Sequence, residues 1–96
     1  MTLSAVALAD LAEIAFYTER VWGHRQSLIY EDFLFDLMHC LESKELSGKP
    51  LRSVPNCWYY LARWPGAEHG HYIVFERIEE SIFVRTLVHS ASNFKF

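Results

Sequence analysis

The chain has 96 residues, of which 51 % are hydrophobic and 16 % aromatic, and its formal net charge is −3. This composition excludes a disordered chain, and 9 Lys and Arg against 12 Asp and Glu disfavour direct binding to nucleic acid, which needs clustered basic side chains. Two cysteines are too few for a disulfide framework, and Asp10, Glu13 and Glu19 interrupt the apolar N-terminus, so we expect no signal peptide, no membrane span and a cytoplasmic location.

The first half of the chain predicts a short strand followed by a helical hairpin. Thr2-Leu3 is the candidate strand, Ser4 is placed as a helix N-cap, and Gly23 is placed to end the first helix. The apolar face predicted for that helix is Leu8, Leu11, Ala15, Thr18 and Trp22, with the Trp22 indole packed at the hairpin corner. A second helix is predicted over residues 25–41, with a buried stripe of Tyr30, Phe33, Leu34, Leu37, Met38 and Leu41. Almost nothing separates the helices, so they must fold back on each other.

Three apolar residues of the second helix, Leu28, Ile29 and Phe35, lie outside this stripe. A helix that is apolar on more than one side either sits deep in a core or is covered by a partner. In a domain this small we favour the partner.

The second half predicts a sheet. Residues 42–50 read as a polar loop, and strands are predicted over residues 51–54, 58–64, 71–77 and 81–89, with turns at 65–70 and 79–80. Strands and turns in succession indicate an antiparallel meander. We therefore predict an α+β fold in one domain over residues 1–96, with the helical hairpin packed on a three- to four-stranded antiparallel sheet.

Residues that could carry chemistry are few. Cys57, His69, His71 and His89 could meet on neighbouring strands, but they lack the tightly paired spacing of zinc ligands. Cys40 falls on a helix stripe, and Cys57 has no adjacent base to lower its pKa. We therefore expect no metal, no cofactor and no cysteine nucleophile.

The arginines of the second half allow two interpretations. Arg52, Arg63, Arg77 and Arg85 could converge with His89 on a surface that cleaves RNA. The alternative, which we favour, is exposed strand arginines paired with Glu76, Glu79 and Glu80. At the C-terminus, Phe94 and Phe96 are two aromatics that dock either on their own domain or on a partner, and both alternatives stay open.

An ordered series of residues runs through the first third: Leu3-Ser4, Ala7, Asp10-Leu11, Ile14, Tyr17, Trp22-Gly23, Gln26, Tyr30 and Leu34. In order and spacing it resembles the ParE-type toxins of bacterial type II toxin–antitoxin pairs, in the RelE/ParE superfamily. The segments Gly48-Lys49-Pro50 and 71–75, together with His89, extend the resemblance over most of the chain. The chain departs from the family at Thr86, where an arginine is usual, with Arg85 one position away.

The resemblance implies a growth-inhibiting toxin that binds DNA gyrase and is neutralised, in a hetero-oligomer, by a cognate DNA-binding antitoxin. The wider superfamily implies a ribosome-dependent mRNA endonuclease as the alternative, and a folded homologue without activity is the third reading. The acidic balance, and phenylalanines where RelE-type relatives have a terminal tyrosine, favour gyrase inhibition without catalysis. The target-binding candidates are Arg85, His89, Asn93, Phe94 and Phe96. The antitoxin-binding candidates are Leu28, Ile29, Phe35, Trp58 and Tyr60.

Overall fold

The computed structural model describes residues 1–92, in which two helices pack on one sheet. The helices are α1 (Ala5–Trp22) and α2 (His24–Glu42), and the strands are β1 (Thr2–Leu3), β2 (Lys49–Pro50), β3 (Trp58–Ala62), β4 (His71–Ile78) and β5 (Ser81–His89). The sheet order is β1-β5-β4-β3-β2. The α+β class is confirmed, but the sheet has five strands and is mixed, because β1 lies parallel to β5.

The hairpin begins and turns at the residues that the sequence indicates. The Ser4 hydroxyl accepts a 2.9 Å hydrogen bond from the Ala7 N–H, which caps α1. Gly23 has a φ of +96°, a conformation that other residues rarely adopt, and its N–H donates to the Glu19 carbonyl. Within residues 1–92, neither helix is both long and apolar enough to cross a membrane.

The main core lies between the helices and one face of the sheet. The predicted α2 stripe is confirmed, with Leu34, Met38 and Leu41 fully buried. The predicted α1 stripe is wrong at two positions, since Leu8 is 58 % exposed and Trp22 is 70 % exposed. Because α1 is apolar nearly all round, its sequence fits two neighbouring stripes, and the buried one contains Ala7 rather than Leu8.

The loop between β2 and β3 covers part of the other sheet face. The strand predicted over residues 51–54 is wrong, because these residues form turns and the strand is instead β2. The Leu51 N–H donates to the Cys57 carbonyl at 2.8 Å, and both side chains pack with Val74 in a second, smaller cluster. Asn56, at a φ of +59°, turns the chain into β3, which ends at Ala62 rather than at residue 64.

A β-bulge lies in β5 at Arg85. Val74 of β4 pairs with Thr86 whereas Phe75 pairs with Val84, so Arg85 is the extra residue. The bulge lets both parts of β5 face the main core, because Ile82 and Val84 before it and Leu87 after it all reach that core.

Two side chains of the first helical segment complete the edge of β5 where β1 stops. The Ser4 hydroxyl donates to the Arg85 carbonyl at 2.6 Å. The Asp10 carboxylate accepts from the Leu87 N–H at 3.0 Å and from the Thr86 hydroxyl at 2.6 Å. These bonds hold α1 against β5, and they provide hydrogen-bond partners for backbone groups of β5 at and after the bulge.

Candidate functional site

An open groove of about 1050 Å³ lies at one end of the molecule, where the hairpin corner meets the turn between β3 and β4. We call it the histidine groove. It is lined by the second half of α1, the start of α2, residues 64–70 and the adjoining ends of β4 and β5. Its lining includes the aromatic, acidic and histidine side chains of Glu13, Tyr17, Trp22, Tyr30, Trp64, Glu68, His69, His71 and His89.

The floor of the histidine groove is a hydrogen-bonded pair from α2 and β4. The Tyr30 hydroxyl lies 2.7 Å from His71 Nδ1. Burial raises the pKa of Tyr30 to about 12, and burial, together with the neighbouring His89, lowers the pKa of His71 to about 4. Near pH 7 the tyrosine is therefore the donor and His71 is neutral, with its remaining proton assigned to Nε2.

His71 also belongs to a row of three histidines, in which His89 lies between His71 and His69. The His71 and His89 rings meet edge to face across β4 and β5, with centroids 5.2 Å apart, and the His69 ring lies 5.5 Å from that of His89. His89 Nδ1 accepts from the Ala91 N–H at 3.1 Å. His69 lies 3.8 Å from the Glu68 carboxylate at the rim. The row therefore places polar ring edges along an otherwise aromatic surface.

Gly70 fixes the turn that forms one wall. Its N–H donates to the Ser90 hydroxyl and its carbonyl accepts from the Ser90 N–H, both at 2.9 Å. A Cβ at Gly70 would overlap the Ala62 carbonyl and lie 2.9 Å from Arg63 Cα. Only glycine therefore allows the turn to approach β3 this closely.

Aromatic side chains form the upper wall, and they are largely uncovered. Tyr17 is 64 % exposed and Trp22 is 70 % exposed, whereas Trp64 is 40 % exposed and rests edge-on against Phe33 with ring centroids 5.0 Å apart. Trp22 was predicted to pack into the hairpin corner. It is exposed instead and lines the groove together with residues of the 64–70 turn.

The target-binding candidates are divided. His89 is exposed and lines the histidine groove. Arg85, at the bulge, is also exposed, and its Nε lies 3.7 Å from the Glu76 carboxylate. Asn93, Phe94 and Phe96 lie outside the described residues.

The antitoxin-binding candidates do not form one surface. Leu28 and Ile29 are exposed on α2, at 51 % and 38 %. Phe35, Trp58 and Tyr60 are half-buried and pack against the main core. On β3 this follows from alternation, since Trp58 and Tyr60 share the helix-facing side with Ala62.

The arginines of a ribonuclease surface are not brought together. Arg77 donates to the carbonyls of Leu41 and Glu42 and so completes the C-terminal end of α2. Arg63 directly follows β3 and lies at the end of the sheet where β4 begins. Arg77 lies six residues further along β4, so about 20 Å of strand separates it from that end. The interpretation that favoured paired arginines is confirmed for Arg85, whereas Arg77 has a structural role that the sequence did not indicate.

The four residues weighed as metal ligands are not all brought together. Cys57 is buried in the second cluster, on the opposite sheet face from the histidine row. In residues 1–92 no group of three or more His, Cys, Asp or Glu side chains is arranged to hold an ion.

The histidine groove itself was missed by sequence reasoning. The one available signal was that His71 and His89 close a predicted hairpin and so become cross-strand neighbours. Tyr30 was assigned to the buried stripe, and nothing in its spacing showed that its hydroxyl would meet a histidine 41 positions away.

Comparisons with known proteins agree with this architecture. Residues 2–94 match the family model described as ParE toxin of type II toxin–antitoxin system, parDE. A solved chain described as the chromosomal ParDE TA system from P. aeruginosa superposes with a TM-score of 0.70 at 22 % identity, covering 92 % of this chain and 94 % of that one. No curated protein matches the sequence. The fold is thus similar to that solved chain, and the family match over nearly the whole length shows that this chain belongs to the ParE toxin family of type II toxin–antitoxin systems.

Proposed function

We propose that this ParE-type toxin inhibits DNA gyrase and that its cognate antitoxin neutralises it by binding directly in the histidine groove. The observation that carries the proposal is an open groove of about 1050 Å³ with exposed aromatic walls, on a chain of the ParE family. Exposed aromatic surface of this kind is typical of protein interaction sites. We expect residues 1–96 to act as one cytoplasmic domain, without direct contact to nucleic acid, in a hetero-oligomer with the antitoxin.

The shape of the groove favours a helical antitoxin segment. An amphipathic helix can place its apolar face against Tyr17, Trp22 and Trp64, which all line the groove. Leu28 and Ile29 are exposed on the adjoining helix and extend this surface in our proposal. Phe35, Trp58 and Tyr60 pack against the main core and do not line the groove.

The target surface is proposed to include Arg85 and His89 of β5, with Asn93, Phe94 and Phe96 beyond it. His89 also lines the histidine groove, so an antitoxin segment in the groove covers part of the surface offered to gyrase. Neutralisation then needs no change in the toxin's shape, because the two partners compete for one side chain.

The test is supercoiling of relaxed plasmid by purified gyrase in the presence of this protein. We expect supercoiling to fall and cleaved DNA to accumulate, and we expect both effects to disappear when the antitoxin encoded beside the toxin is added. His89→Ala and Arg85→Ala should weaken inhibition, whereas Arg52→Ala, an exposed arginine of the β2–β3 loop, should not. Full gyrase activity at a large molar excess of folded protein would overturn the gyrase target.

The same preparation separates the alternatives. Cleavage of ribosome-bound mRNA that is lost in His89→Ala would support an endonuclease in place of a gyrase inhibitor. The engagement of Arg77 with α2 and of Arg85 with Glu76 weighs against that chemistry. Normal growth of cells that accumulate the soluble protein would support the inactive homologue.

A further inference from the structure

The histidine groove has an uneven charge. Glu13 and Glu68 stand among its lining residues, and both are exposed, whereas the lining that the structure describes contains no lysine or arginine. Of its three histidines, His71 is neutral near pH 7 because burial lowers its pKa to about 4. At neutral pH the described part of the groove therefore presents two negative charges and no fixed positive one.

The helical layer that forms one side of the groove has the same sign. Residues 5–42, which contain both helices, include seven acidic side chains and two basic ones, a difference of −5. The two basic residues are Arg20 and Arg25. The Arg20 guanidinium lies 5.5 Å from the centroid of the Phe16 ring, and neither arginine lines the groove. A cationic partner therefore meets an attractive field on approach and in the site.

Exposed aromatic faces accompany the carboxylates. Trp22 and Tyr17 are exposed by more than half, and Trp64 stands across the groove from them. The faces of indole and phenol rings attract lysine ammonium and arginine guanidinium groups, and tryptophan does so most strongly. A basic side chain with an apolar stem satisfies both features, because its stem packs on the rings while its head reaches a carboxylate.

From this combination we infer that the antitoxin segment in the histidine groove carries an arginine or lysine that inserts between the aromatic wall and Glu13 and Glu68. The inference rests on the proposed function, since it names the chemistry of the partner at that same site. It commits to one occupant, a cationic amphipathic segment of the antitoxin. An acidic or purely apolar segment, or a second copy of this chain, is an outcome that contradicts it.

The experiment measures binding of the antitoxin encoded beside the toxin, by calorimetry at low and at moderate salt. The toxin variant is Glu13→Gln/Glu68→Gln, which keeps side-chain size and removes both charges. We expect its affinity to be about tenfold lower than wild type at low salt, with a smaller dependence on salt. The matched control is Glu79→Gln/Glu80→Gln, at the exposed turn at the opposite end of the sheet, which should stay within about twofold of wild type.

A coupling measurement then locates the cation. Each lysine and arginine of the antitoxin is changed to glutamine singly, and one of these changes should weaken binding to wild-type toxin but have little further effect on Glu13→Gln/Glu68→Gln. Trp22→Leu, which keeps apolar area but removes the ring face, should weaken binding several-fold. Thermal unfolding of each variant checks that it is folded.

The outcomes are distinct. If the antitoxin binds wild type tightly and the groove variant binds as tightly as the control variant, the inference is overturned and the proposed function stands. Tighter binding by the groove variant would show an acidic partner and would overturn it as well. If folded wild-type toxin forms no complex with the antitoxin, both the inference and the antitoxin part of the proposed function fail.

Discussion

The neutral state of His71 makes a specific prediction about pH. Its pKa falls from the ordinary value of 6.5 to about 4, first through burial and then through repulsion by His89, with Asp10 acting weakly in the opposite direction. Between those two pKa values the unfolded chain binds a proton at this position and the folded chain does not. Stability must therefore rise with pH across this window, and acidification from pH 6.5 towards pH 4 must destabilise the fold.

The magnitude follows from the two pKa values. The complete difference corresponds to about 3 kcal/mol at 1.36 kcal/mol per pH unit. At pH 5 the unfolded histidine is nearly fully protonated, so the loss of stability between pH 7 and pH 5 is about 2 kcal/mol. Solvent screening at a ring that is only partly buried reduces this loss to about 1 to 2 kcal/mol. In a domain with about 5 to 10 kcal/mol of stability this is a measurable fraction.

The assay is urea unfolding at pH 7.0 and pH 5.0, compared between wild type and His71→Gln. Glutamine keeps a hydrogen-bonding partner for Tyr30 but does not titrate, so the variant should lose about 1 to 2 kcal/mol less than wild type on acidification. His39→Gln is the control, since that side chain is exposed on α2 and does not line the histidine groove. Equal losses for wild type and His71→Gln would refute the assignment of a buried, neutral His71.

Three further substitutions test contacts that position the histidine groove, each by urea unfolding at pH 7. Asp10→Ala leaves the Thr86 hydroxyl and the Leu87 N–H without their acceptor and should lower the free energy of unfolding by about 2 to 3 kcal/mol. The control Asp32→Ala, at an exposed position, should lower it by less than about 0.5 kcal/mol, and similar values for the two would contradict the role of the Asp10 carboxylate. Gly70→Ala should cost about 2 kcal/mol or more through overlap with the β3 backbone, and wild-type stability would contradict the close approach. Arg77→Gln should cost about 1 to 2 kcal/mol by uncapping α2, with the exposed Arg52→Gln near neutral as its control; a loss no larger than this control would contradict the cap.

Much of the fold could be predicted because its local signals are strong. The cap at Ser4, the turn at Gly23 and the exact extent of β5 follow from residue types whose preferences do not depend on distant contacts. The α2 stripe was predictable because polar residues such as Asp32 and Asp36 separate its apolar positions. The α1 face was not, since apolar residues occur on all sides of that helix.

The sheet register and the site depend on contacts between distant positions. The bulge at Arg85 is specified by partners on β4 and by Asp10, 75 positions earlier, so no local pattern in β5 reveals it. The Tyr30–His71 hydrogen bond joins the apolar stripe of α2 to the first residue of β4, and the local pattern of neither element reveals the other partner. The ParE resemblance includes residues that line the groove, among them Tyr17, Tyr30 and His89, but their order and spacing along the chain do not show that they meet in space.

The exposed aromatics of α1 follow from the same geometry. At the hairpin corner, Trp22 and Tyr17 line the groove together with residues of the 64–70 turn, and both stay more than half exposed. Replacing them by polar residues would make the free protein more soluble, yet it would remove the surface that an amphipathic partner needs. Such residues are tolerated when the uncovered state is rare. An antitoxin that normally covers the histidine groove provides that condition, and it places His89 under the same cover. In our proposal, the exposed C-terminal end of α1 therefore explains both the aromatic wall of the groove and the way in which the antitoxin neutralises the toxin.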